Sequence, residues 1–132
     1  MAVETYKIEE ISAGVDEGCL WVSIGFSSEL EKLDVLHVVC ALDPGDQDLG
    51  EGHDAVYLER FDQAYSCNDG AEKILVRPAT IEVTLNAKGR QDLGFSGDIC
   101  FEAPDSLEGW ANALGILERM SAQACGRVVS VD

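Results

Sequence analysis

The chain has 132 residues, with 25 Asp or Glu against 9 Lys or Arg and a formal charge of -16. A field of that sign repels phosphate backbones and anionic lipid, which argues against nucleic-acid and membrane binding and favours basic proteins or divalent cations as partners. Hydrophobic residues make up 46% of the chain, too many for a disordered acidic tail, so the charge sits on the outside of what reads as a single domain, 1–132.

Taken in chain order, Val3, Tyr6, Ile8 and Ile11 give an imperfect two-residue alternation, which predicts a strand with one acidic, solvated face. Asp16, Glu17 and Gly18 supply a turn. In the next stretch, CLWVSIGF, Leu20, Val22, Ile24 and Phe26 alternate with Cys19, Trp21, Ser23 and Gly25, predicting a second strand paired with the first as a hairpin. A polar turn, SSELEKL, leads into a buried strand over about 33–42, VLHVVCAL being β-branched and apolar. The segment DPGDQDLGEGHD follows, and AVYLERF forms the next strand, with Val56, Leu58 and Arg60 in opposite phase to Tyr57, Glu59 and Phe61.

DQAYSCNDG reads as a turn-rich connection. EKILVRP and TIEVTLN are two strands separated by Pro78, AKGRQDLGFSG is loop, and DICFEA is a last short strand. Asp105 has the position of a helix N-cap, with Glu108 at the capping-box distance. Leu107, Trp110, Ala111, Leu114 and Leu117 make an apolar stripe on a helix running to about Gln123, and RVVSVD is a tail. Strands followed by one helix predict an α+β fold: a curved, mainly antiparallel β-sheet of about six to seven strands with one C-terminal helix packed on it.

The N-terminal residues lack the basic and apolar regions of a secretory signal, which points to the cytoplasm. The five cysteines are scattered, with no C-x-x-C pair, so neither a disulfide framework nor a zinc knuckle is signalled. Cys19, Cys40 and Cys100 lie in apolar runs, where a thiol serves as a small hydrophobe.

The acidic segment holds Asp43, Asp46, Asp48, Glu51 and Asp54. Aligned as a calcium loop from Asp46, it places Glu51 where glycine is required and Tyr57 where the bidentate glutamate belongs, so the registration fails. His37 fits a satisfied strand imidazole. GFSGD lacks the second glycine spacing of a nucleophile elbow, and Cys67, placed in a loop, has no Lys or His near it in sequence to lower its pKa. No catalytic residue, metal site or cofactor is signalled.

Several features together carry a resemblance: VLHVVCAL; Asp43, Gln47, Asp48 and Gly50; Tyr57 and Glu59; Leu93 and Gly94; DICFEA; and the leucine-bearing final helix. From Trp21 to Met120 the chain resembles the bacterial immunity proteins of the family called immunity protein ten. That resemblance implies a small cytosolic antidote of a polymorphic toxin system, whose partner is a cognate protein toxin and which inherits no catalytic residues. The charge suits a basic toxin such as a nuclease. Asp43, Asp46, Asp48, Glu51, Asp54 and Glu59 are then the candidate phosphate-mimicking contacts, with Tyr57 as an aromatic anchor. Two alternatives stand beside it: a divalent-metal or enzymatic module using the 43–54 loop, and a generic interaction domain. Apolar residues on both faces of VLHVVCAL are also compatible with a homodimer.

Overall fold

The computed structural model describes residues 3–16, 18–27, 34–41, 56–60, 65–68, 70–122 and 128–132. Among these residues lie nine strands: β1 (Val3–Asp16), β2 (Cys19–Phe26), β3 (Asp34–Ala41), β4 (Tyr57–Arg60), β5 (Ser66–Asn68), β6 (Ala71–Val76), β7 (Thr80–Leu85), β8 (Asp98–Glu102) and β9 (Val129–Val131). The same residues hold two helices, α1 (Ala87–Leu93) and α2 (Trp110–Ser121). The strands form one sheet in the order β5, β4, β3, β2, β1, β8, β7, β6, β9. All pairs are antiparallel except β1 with β8 and β6 with β9.

The α+β class and the mainly antiparallel sheet are as the pattern predicts, but the sheet has nine strands and two helices pack on it. Three short elements account for the difference. SCN and VSV are three-residue strands, too short for periodicity to register, and each is recruited by a neighbour's open edge. AKGRQDL forms α1 although it contains a glycine, because Asn86 caps it, Oδ1 accepting from Gly89 N at 2.8 Å.

Strand β1 switches partners along its length. Val3–Lys7 pairs with β8, whereas Ile8–Asp16 pairs with β2, and the register shifts between Ile8 and Glu10 at the crossover. A bulge there sharpens the local twist and divides the sheet into two halves that face each other. Under the bend Tyr6, Phe26 and Phe101 cluster, with Phe26 at 4.8 Å from Tyr6 and 5.0 Å from Phe101 between ring centroids. The curvature is visible in what α1 touches: it packs on β4 and β5 and also on β7. In a flat sheet β4 and β7 would lie about 24 Å apart, at about 4.8 Å per strand, more than a seven-residue helix of about 10 Å can span.

The strand alternation places Leu20, Val22, Ile24, Phe26, Leu36, Val38 and Leu58 inside from one half and Ile74, Val76, Ile81, Val83, Ile99 and Phe101 from the other, all essentially inaccessible. Helix α2 buries Ala113, Ile116, Leu117 and Met120 against β1, β2 and β9. This stripe overlaps the expected one only at Leu117; Ala111 is exposed, and Leu107, Trp110 and Leu114 pack at its edge. Leu107 drops out of the stripe because the helix starts later than expected, at Trp110. Asp105 lies in a turn, and Gly109 is the N-cap, at φ 87°, a left-handed conformation that favours glycine. A Cβ at Gly109 would also come within 2.6 Å of Ile11 O.

Among the described residues two polar ones are fully buried, Asp34 and Arg60. Arg60 donates from Nε to Asp34 Oδ2 at 2.9 Å and from Nη1 to Leu93 O at 3.0 Å and Gly94 O at 3.1 Å, and its guanidinium lies 3.8 Å from the Phe95 ring centroid. These contacts clamp β3 and β4 to the C-terminal end of α1. Beside that clamp α1 closes on the β5–β6 connection so tightly that a Cβ at Gly89 would lie 2.3 Å from Gly70 O. Among the described residues Cys19, Cys67 and Cys100 are in no disulfide, whereas Cys40, 1% exposed, is disulfide-bonded, contrary to the expectation of a simple apolar filler there.

Candidate functional site: an aromatic and acidic sheet face

The same alternation that fills the core sends a second set of side chains outward from β1–β4. Register brings them into rows across the strands: Gly14, Trp21, Val39 and Tyr57 in one, Ser12, Ser23, His37 and Glu59 in the next. Trp21, Ser23, Val35, His37, Val39, Tyr57 and Glu59 are all half-buried. The helices pack on the inner side, so this face is a shallow, open groove. Its cavity volume is about 360 Å³, with Trp21, His37, Val39, Tyr57 and Glu59 among its lining and Asp16 and Cys19 at one end. A second hollow of about 450 Å³ shares Trp21, Ser23 and His37 and continues to Glu10 and Val35.

Each wall is held by a neighbour. The Trp21 indole lies over Gly14, where a Cβ would stand 3.1 Å from Trp21 Cζ2, so glycine on β1 gives the ring room to lie against the sheet. Tyr57 Oη donates to Glu59 Oε1 at 2.8 Å. Burial pushes the Tyr57 phenol above its ordinary pKa; the Ser66 hydrogen bond opposes this and the Glu59 carboxylate adds to it. Ser23 Oγ and His37 Nδ1 are 2.6 Å apart. Among the described residues, neither Asp16 nor Glu59 is ion-paired to a cation.

Of the residues singled out from sequence, Tyr57 and Glu59 meet here as a bonded pair. Asp43, Asp46, Asp48, Glu51 and Asp54 lie outside the described residues. His37 is the strand-face imidazole that its setting predicts. Cys67 is buried in β5 rather than placed in a loop, and Ser96 is tied by its backbone N–H and hydroxyl to Glu4 Oε2 at 2.9 and 3.1 Å. Trp21 and Ser23 were passed over, although a tryptophan on the polar phase of a strand is itself a signal of an exposed aromatic.

The row Ser23, His37, Glu59 lines up a hydroxyl, an imidazole and a carboxylate across three strands. Ser23 lies mid-strand, however, with β2 paired on both sides. Its neighbouring backbone N–H groups serve the ladder and cannot also cradle an oxyanion. Among the described residues no group of three or more His, Cys, Asp or Glu is arranged to hold a metal ion, and no helix is long and apolar enough to cross a membrane.

What these features define is an α+β protein with a curved sheet, helices on its concave side and an open aromatic and acidic face on its convex side. The sequence pattern of the family described as Immunity protein 10 matches residues 7–108, and the chain belongs to that family. Comparison with characterised proteins and with solved structures returns no match.

Proposed function

We propose that this chain is a single-domain, non-enzymatic antidote that acts in the cytoplasm by covering the working surface of a cognate, basic protein toxin. Family membership supports the class. The observation that carries the finer reading is the β1–β4 face: Trp21 and Tyr57 stand beside Asp16 and Glu59, which among the described residues have no ion-paired cation, on a chain whose formal charge is -16. Aromatic anchors ringed by unpaired carboxylates suit a basic partner, supplying apolar contact at the centre and fast, charge-steered encounter around it. A nuclease, which must present cations to phosphates, is the partner class that such a face would mimic a substrate for.

The test is co-expression with the toxin encoded beside this chain. Survival of the cells, and a complex recovered at low salt that weakens as salt rises, are the expected results. No protection and no complex would overturn the reading. The compartment has its own check. Cys19, Cys67 and Cys100, which are in no disulfide, fit a reducing environment, whereas a disulfide at Cys40 runs against it. Alkylation of the thiols in intact cells, followed by mass spectrometry, decides it: an alkylated Cys40 supports the cytoplasm as the working compartment, and a Cys40 protected by its disulfide overturns it.

A further inference from the structure

The β2–β4 groove has a definite geometry. Val39 forms its floor between Trp21 and Tyr57, which sit in the same row on the strands either side of it. Glu59 closes one end, its Oε1 occupied by the Tyr57 hydroxyl and Oε2 with no bonded donor among the described residues. Asp16 stands at the opposite end. Three strand steps and four residues of rise separate the two carboxylate positions, about 20 Å between Cα atoms. One cation cannot reach both. The spacing fits an extended segment carrying two cations several residues apart.

We propose that this groove reads an arginine-bearing segment of the toxin: one side chain lays its aliphatic stem over Val39 between Trp21 and Tyr57 and directs its guanidinium to Glu59, while a second cation meets Asp16. The inference deepens the antidote reading and rests on it. Arginine matches the lining better than lysine, because its planar head stacks on aromatic rings and forks onto a carboxylate that is already held in place. A second copy of this chain is a poor occupant, since it would bring Glu10, Asp16 and Glu59 against a surface of the same sign. The larger hollow between β1 and residues 104–109, about 660 Å³, has Glu9, Glu10, Asp105 and Glu108 but no Tyr or Trp, so it offers charge without an anchor.

The probe is the capped peptide Arg-Gly-Ser-Gly-Arg, with its Lys and Glu counterparts, titrated into the whole isotope-labelled protein at low salt. The Arg peptide should shift the Trp21 indole and His37 resonances, bind more tightly than the Lys peptide and lose its effect at high salt, while the Glu peptide leaves the spectrum unchanged. Glu59→Gln should weaken Arg-peptide binding about tenfold, and Glu82→Gln, on the other half of the sheet, should not. Thermal melts of both variants establish that they fold. Shifts confined to other surfaces, equal binding of Lys and Arg peptides, unaltered binding by Glu59→Gln, or Trp21 shifts driven by protein concentration alone would each overturn the proposal. Co-expression separates the two levels. Full protection by Glu59→Gln together with Asp16→Asn sinks this groove and leaves the antidote reading standing, whereas peptide binding at the groove without protection by the unaltered chain sinks the antidote reading instead.

Discussion

On the outer side of β6–β8, Arg77 bridges Glu82 at 2.7 Å and Asp132 at 3.5 Å, and Lys7 stands opposite Glu102 in the β1–β8 register. On the outer side of β1–β4, Glu10, Asp16 and Glu59 stand among Trp21, Val39 and Tyr57 with no Lys or Arg in any row. Both faces come from the same strand alternation over one core, so packing does not explain the contrast. The first face has settled its charges internally. Among the described residues the second leaves Asp16 and Glu59 without an ion-paired cation beside half-buried aromatics. Even Cys100 on the first face is subdued, its thiol pushed up by burial and by the carboxylates of Glu82 and Glu102, with Arg77 opposing.

The strongest way to break this comparison is to unfasten the two halves. Asp34→Ala leaves Arg60 charged and buried without its carboxylate, and urea unfolding should show a loss of about 3–5 kcal/mol. Both faces should fail together, since the clamp positions β3 and β4. Gly89→Ala forces a Cβ against Gly70 O and should cost about 1–3 kcal/mol by the same measurement, with the effect centred on α1 and β5.

Finer perturbations sharpen the contrast. Arg77→Ala removes an ion pair whose side chains are 47% and 42% exposed, so its effect on stability should stay below about 1 kcal/mol, and partner binding measured by calorimetry should not change. A change in binding as large as that from Glu59→Gln would erase the distinction between the faces. The smallest expected effect lies at the bend. Burial and the hydrogen bond to Glu4 push the Tyr6 phenol up to about 12 from 10.0, so the fold favours its protonated form. That contribution is complete below pH 10.0 and fades as pH rises through about 12. Tyr6→Phe should remove the last step from an ultraviolet titration of the tyrosines.

The sequence made the long elements legible because their alternation is strong: β2, β3 and β7 carry apolar residues at every second position. The three-residue strands and α1 were illegible for a physical reason. Their stability comes from a neighbour's edge or from an Asn86 cap and a glycine contact, none of which leaves a periodic trace. The candidate site was half visible. Tyr57 and Glu59 were found through composition and resemblance, but Trp21, Ser23 and His37 join them only through cross-strand register, which a linear reading does not contain.

The double pairing of β1 also governs when the molecule can exist at all. Val3 lies against Asp98, so the bend that gathers Tyr6, Phe26 and Phe101 closes only after β8 has been made. Such distant pairing folds slowly and late, after the ribosome has released most of the polypeptide. A chain that ends short of β8 therefore presents the β1–β2 hairpin with an open edge.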